Sequence, residues 1–265
     1  MTIIVRRPAP PLAGLVSALV YQAGEQPQAS VQKILPDAEP SLWVNLNRDE
    51  FRSLSGPRPG RVPGAMLAGP RSRALVTEFE AGRAHIWVSF ALGAAPAFFP
   101  GALAAAADEL VPLAELWGGC GGSLRDQLLT AAAPQDMLQV MERVLLSHLA
   151  GPDRADPAVC AAARALSSGQ AVGQVADGLG LVPRTLRRRF TARTGLTPKR
   201  FARVQRLRRV ARALDGQARA DWAAVAAGHG YSDQAHLINE FQDLASITPA
   251  EYLRSRIDGP NHLRA

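Results

Sequence analysis

A chain of 265 residues, 47% hydrophobic and 20% charged, has the composition of a folded globular protein and is long enough for two domains with separate cores. No apolar run reaches the roughly 18 residues of a membrane span, and MTIIVRRPAPPL lacks the hydrophobic stretch of a secretory signal, so the cytoplasm is the expected location and no membrane partner is expected. The net charge of +7 is uneven: residues 173–265 hold 16 Lys plus Arg against 8 Asp plus Glu, and residues 1–172 hold 14 against 15, so the C-terminal third is suited to a polyanion.

Residues 1 to about 112 read as mainly β. SLWVNLNRD alternates Leu42, Val44 and Leu46, and RALVTEFEAGRAHIWVSFAL predicts two strands joined through Ala81 and Gly82, with Ile86, Val88 and Phe90 on one face. SGPRPGRVPGAMLAGP between them reads as a Pro/Gly loop without the strand-to-helix spacing of a phosphate loop. Trp43, Trp87, Phe90, Phe98 and Phe99 are candidate walls of an apolar cavity, a packed core being the alternative. From about 113 to 150 the spacing turns helical in SLRDQLLTAA and PQDMLQVMERVLLSHLAG, broken at Ala133-Pro134.

GPDRADP, residues 151–157, is the expected domain boundary. Beyond it every segment predicts helix: 158–168, 172–179, 183–193, 198–214, 220–228, 232–244 and 249–256, with residues 257–265 expected to form a flexible tail.

This helical part repeats itself. Leu186, Phe190, Thr197, Pro198 and Phe201 recur 51 residues later as Leu237, Phe241, Thr248, Pro249 and Tyr252. Each copy follows a short helix and a turn containing Gly180 or Gly230, which makes a helix-turn-helix pattern twice over. Thr197-Pro198 and Thr248-Pro249 are helix starts, and Thr248 with Glu251 predicts a capping box.

LVPRTLRRRFTARTG, in the first copy, holds five arginines and no acid. At 100° per residue Arg184, Arg187, Arg188 and Thr191 share one side, opposite Leu186 and Phe190. From Arg184 to Arg212 there are eleven arginines and Lys199 with no Asp or Glu, so the balancing anions must come from elsewhere in the fold or from a partner.

RTLRRRF, GLTPKRF, RLRRVARAL, AAGHGYSDQAHL and ITPAEY, in that order and spacing, resemble the DNA-binding domain of AraC-type (AraC/XylS) transcription regulators over residues 158–256. The resemblance implies an α+β two-domain protein: a β-rich N-terminal domain with trailing helices, then an all-α domain whose helices from near Pro183 and Ser232 enter successive major grooves of double-stranded DNA. In the first unit Arg184, Arg187 and Arg188 take groove-facing positions with Thr191 behind them, a chemistry suited to guanine. In the second unit Gln234, His236, Ile238 and Asn239 are the candidates, Gln234 and Asn239 suiting adenine and Ile238 a thymine methyl, while Glu240 on the flank is expected to repel phosphate. Arg189, Lys199 and Arg200 are candidate phosphate contacts, with an acidic neighbour as the alternative for Arg189.

ELVPLAELWGG followed by SLRDQLL resembles the N-terminal region of a subgroup of the same regulators. That implies a sensor or dimerisation domain, with a cupin-like barrel as its candidate form. A small-molecule effector, a second copy of the chain and RNA polymerase are the corresponding candidate partners.

Two rival readings have their own residues. Cys120, in GGCGG, and Cys160 would carry a redox response, their alternatives being a glycine turn and a buried small hydrophobe. An enzyme fused to the DNA-binding part would need a four-cysteine cluster or a Pro-Cys-His site, neither of which is present, or a nucleophile on a strand-to-helix elbow with a histidine partner, for which Cys120 in its glycine turn is a poor candidate. Two cysteines are too few for a structural zinc site, and His85, His148 and His262 lack partners at ligand spacing, so no metal or cofactor is expected.

Overall fold

The computed structural model describes residues 2–24, 30–79, 82, 84–150, 156–257 and 262–264. The N-terminal domain is built on two antiparallel sheets. One has the order β1 (Thr2–Arg6), β2 (Val16–Ala23), β9 (Ala84–Phe90), β4 (Ser41–Asn45), β7 (Ala65–Ala68), β10 (Leu110–Pro112). The other runs β11 (His262–Arg264), β3 (Ser30–Ile34), β8 (Leu75–Phe79), β5 (Glu50–Ser53), β6 (Gly60–Pro63). They do not close into a barrel, which corrects the cupin-like form.

Two local expectations also change. The stretch read as a Pro/Gly loop contains β6 and β7. Pro63 is tolerated because β6 is an edge strand, where a missing N–H leaves no neighbour unpaired. Gly69 follows because the chain passes so near Ala106 that a Cβ would lie 1.8 Å from its carbonyl oxygen. β8 and β9, adjacent in sequence, do not pair: β8 lies between β3 and β5 in one sheet and β9 between β2 and β4 in the other.

Alternation on β4 and β9 gives the first sheet two different faces. Leu42, Val44, Ile86, Val88 and Phe90 are buried against α1 (Leu113–Trp117), α2 (Gly119–Leu129) and α3 (Pro134–Ser147), through Leu124, Leu128, Leu138, Met141 and Leu145. Phe98 and Phe99 belong to this core, with Trp117 stacked on Phe99. Ser41, Trp43, Asn45, His85, Trp87 and Ser89 point to the other face, toward the second sheet. The aromatic set divides accordingly: Trp43 and Trp87 line a cavity, whereas Phe90, Phe98 and Phe99 are core. Cys120 sits in the first turn of α2, not in a loop, half-buried against the same core.

The C-terminal domain has helices α4 (Pro157–Ser168), α5 (Val172–Gly178), α6 (Pro183–Thr194), α7 (Pro198–Ala213), α8 (Trp222–Gly228), α9 (Gln234–Ala245) and α10 (Pro249–Ser255), within two residues of the sequence reading at each end. The 51-residue repeat is a repeat of packing. Leu186, Phe190, Phe201 and Val204 form the first unit's core, and Leu207, Val210, Leu237, Phe241 and Tyr252 the second's, so α7 gives successive turns to each. Phe190 meets Phe201 edge-on at 5.1 Å between centroids, and Phe241 meets Tyr252 at 5.9 Å. Thr197 Oγ1 accepts from the Arg200 amide, and Thr248 and Glu251 form the reciprocal capping box. Gly180 and Gly230 hold positive φ in the two turns, at 63° and 77°.

Of the boundary segment, residues 151–155 lie outside the described residues; Asp156 caps α4 and Pro157 begins it. The domains touch along a strip from Leu35 to Glu39. Leu35 joins the second unit's core and Ala38 the first's, while the Ala74 amide donates to the Leu244 carbonyl at 2.8 Å. Where a flexible tail was expected, His262–Arg264 pairs with β3 and Leu263 is fully buried in the second unit's core. The reason is apolar: Leu263 packs into the same cluster as Leu35, next to the exposed edge of β3.

Candidate nucleic-acid interface and interior cavity

The arginine run resolves into two classes. The first is spent on the fold. Arg189, a candidate phosphate contact, donates from Nε and Nη2 to both oxygens of Asp156 at 3.0 and 2.7 Å, fixing α6 to the cap of α4. Arg203 and Arg206, on α7, hold Glu240 of α9: Arg203 Nε at 2.9 Å, Arg206 Nε at 2.9 Å and Arg206 Nη2 at 2.6 Å. Arg203 also reaches Asp243, and Arg206 reaches the Gly230 carbonyl while lying over the Tyr231 ring at 4.4 Å. Arg208 pairs with Asp37 of the other domain at 2.8 Å, and Arg209 donates to the Ser167 carbonyl.

Glu240 therefore does not flank DNA as a repulsive charge. It is only 3% exposed and neutralised from two sides. Burial acts to raise its carboxyl, but the hydrogen bonds from Arg206 and Arg203 outweigh that and keep it below the usual carboxylate range. One anion on α9, shared by two cations on α7, sets the second unit against the connecting helix.

The second class is Arg184, Arg187 and Arg188, all exposed, with no acidic partner among the described residues. Three guanidinium groups are thus held out together on one helix face, where a polyanion can reach them. Lys199 and Arg200, in the first turn of α7, are exposed too. Thr191 departs from the expectation: its hydroxyl oxygen is buried without a hydrogen-bond partner, so it cannot reach a base edge.

On α9 Gln234 and Asn239 are exposed and Ile238 is half-buried. His236 is held on the protein side, its Nδ1 3.2 Å from Ser232 Oγ and its ring edge-on to Tyr231. His229 packs in the turn, with Nδ1 2.9 Å from the Val225 carbonyl.

The other feature is a cavity of about 760 Å³ between the two sheets. Its walls include Trp43, Trp87, Phe51 and Phe79 from the strands. Arg208 from α7, and Ile257 and His262 from the C-terminal segment, line it as well, so both domains contribute. The sequence reading found the two tryptophans but not these residues of the second domain, because their arrival depends on domain packing. Cys160 lies at the domain contact, where burial pushes its thiol up, away from the thiolate that redox sensing requires.

The comparisons agree with this geometry. A family model described as "Helix-turn-helix domain" matches residues 160–255, spanning both units, and a "Domain of unknown function (DUF6597)" matches residues 5–112. The chain therefore carries a helix-turn-helix domain behind a DUF6597 domain. Among solved structures, ToxT from Vibrio cholerae at 1.65 Å resolution is similar at 10% identity and TM-score 0.50, over 89% of this chain and 98% of that one. A second ToxT structure, described as bound to an unsaturated fatty acid, is 10% identical with TM-score 0.47, covering 89% and 94%. The AraC-like transcriptional activator CuxR is 15% identical with TM-score 0.29, covering 78% and 86%. At 10% identity the likeness to the 1.65 Å ToxT structure is one of fold. No curated protein matches the sequence. No helix among the described residues is long and apolar enough to cross a membrane.

Proposed function

We propose that the chain is an AraC-type transcription regulator that reads DNA chiefly through α6, with Arg184, Arg187 and Arg188 at base edges in a major groove, and takes a small-molecule effector into the cavity between its sheets. The observation that carries the DNA part is the division of the arginines: the fold has neutralised Arg189, Arg203, Arg206 and Arg208 and left these three exposed. Guanidinium matches guanine O6 and N7, so a guanine-containing half-site follows. On α9, Gln234, Asn239 and Ile238 add a smaller contribution in the neighbouring groove, and Lys199 and Arg200 serve phosphates. Arg189 is not part of this set.

The effector part rests on the cavity's size and its two-domain lining. A volume of about 760 Å³ falls in the range of small-molecule sites, about 300 to 1,000 Å³. Because Arg208 belongs to α7, the helix that joins the two DNA-reading units, an occupant presses on the element that sets their spacing.

The test of the DNA part is affinity. On fragments selected from genomic DNA by the purified protein, Arg187→Ala or Arg188→Ala is expected to cost about 1 to 3 kcal/mol and to relax base preference. Equal losses on selected and random DNA would mean that these arginines serve phosphates alone.

A further inference from the structure

The first turn of α6 carries an apolar side chain that the fold leaves outside. Val182 is 65% exposed, more than any other large apolar side chain among the described residues. Pro183 beside it is exposed as well, whereas Leu181 packs onto the first unit's core. A single exposed valine carries no meaning in itself; the position of this one does.

Val182 stands at a helix start, where a polar group is the rule. Apart from α6 and the short α5, every helix of this domain begins at a side chain that accepts from its first free amides: Asp156 for α4, Thr197 for α7, Asp221 for α8, Asp233 for α9 and Thr248 for α10. Asp233 is the counterpart of Val182 in the 51-residue repeat, and its Oδ1 accepts from the His236 amide at 2.7 Å. Val182 starts α6 by its backbone alone, its carbonyl accepting from the Thr185 and Leu186 amides at 2.9 and 3.1 Å. The side chain thus supplies no cap and little packing, and the stabilisation that a capping oxygen brings is forgone.

This end of α6 is the end that a groove receives. In a helix-turn-helix unit the N-terminal residues of the second helix meet base edges, and the exposed Arg184 is two residues beyond Val182. Two residues of chain reach at most about 7 Å, which is two base-pair steps of about 3.4 Å. The methyl group that a base edge presents in the major groove is the thymine C5-methyl.

We propose that Val182 is a specificity-determining residue, packing on the C5-methyl of a thymine within about two base pairs of the guanine read from α6. This rests on the reading of α6 as the groove element and adds a second base to its half-site. Taking one methyl group out of water is worth about three- to fourfold in affinity. The arginines then read guanine by hydrogen bonds, and Val182 reads its neighbour by apolar contact.

The experiment uses the full chain on a site selected from genomic DNA, in the half-site where Arg187→Ala relaxes base preference. Each thymine there is replaced in turn by deoxyuridine, which removes the C5-methyl and keeps the pairing edge. One replacement, within about two base pairs of the guanine, should weaken binding about three- to fourfold. Val182→Ala should bind the thymine and uracil sites equally. Val182→Ser should do the same while raising the thermal midpoint by roughly 2 to 4 °C, because serine restores the cap; a valine kept for packing would lose stability instead. A half-site selected without a thymine there, thymine and uracil bound equally throughout, or a uracil loss that persists in both Val182 variants would overturn the methyl contact and leave the reading by α6 standing. If Arg187→Ala and Arg188→Ala change neither affinity nor base preference, the reading by α6 falls as well.

Discussion

Glu240 offers the sharpest test of how the second unit is held. Glu240→Ala removes the acceptor of three charge-assisted hydrogen bonds, two from Arg206 and one from Arg203. Removing one member of a buried pair costs about 3 to 5 kcal/mol when the partner is left dry. Here the Arg203 and Arg206 side chains are 31% and 21% exposed, and Arg203 keeps Asp243 at 2.7 Å, so rehydration returns part of that. A loss of about 2 to 4 kcal/mol at pH 7 remains. Urea unfolding followed by fluorescence of Trp222, which packs on the second unit's core, reports it, with hydrogen exchange of α9 amides as a local check. The effect has a pH signature. Because the folded-state pKa lies below the usual value, the contribution is present above the unfolded pKa of about 4.5 and is lost as pH falls through the folded one. The gap between unaltered protein and variant should therefore narrow in acid. A cost under about 1 kcal/mol, the worth of an exposed ion pair, or a gap that ignores pH would refute the clamp.

Three other outcomes follow. Burial pushes the Glu39 carboxyl up to about 8, with one oxygen buried unpaired and the other accepting from the Gly93 amide. The folded state then binds the extra proton between about pH 4.5 and 8, so stability falls as pH rises across that window, by at most about 1.4 kcal/mol per unit; Glu39→Gln should flatten the slope in urea titrations, and an unchanged slope would exclude Glu39. Leu263→Ala should cost about 2 to 3 kcal/mol in thermal or urea unfolding, because the side chain is fully buried, whereas a loose tail would show no change. Replacing Cys120 and Cys160 with serine should leave DNA affinity under oxidant as it was, since the Cys160 thiol is biased toward its protonated form; an oxidant effect lost in the double variant would revive redox control.

The helical domain was legible because its signals are local. Threonine-proline starts, glycine turns and apolar residues three and four apart fix each helix within its own sequence, and the 51-residue echo relates the two units. What could not be read depends on distant neighbours. Whether Glu240 repels DNA or clamps α7 turns on which face of α9 meets Arg203 and Arg206, and the sequence records no such pairing. Arg189 looked as available as Arg188 until Asp156, 33 residues earlier, came within 2.7 Å. Sheet order was hidden for the same reason: β8 and β9 look like a hairpin and part into separate sheets. Period-two alternation did show that β4 and β9 have two unlike faces, but what fills the tryptophan side depends on the second sheet and on α7.

The most direct test of DNA reading by α6 is protection of guanine N7 from dimethyl sulfate on a selected site. Guanidinium groups bonded to guanine in the major groove should shield at least one guanine N7, and Arg187→Ala or Arg188→Ala should restore its methylation. Guanines that methylate as readily as in bare DNA while the protein is bound would contradict the account.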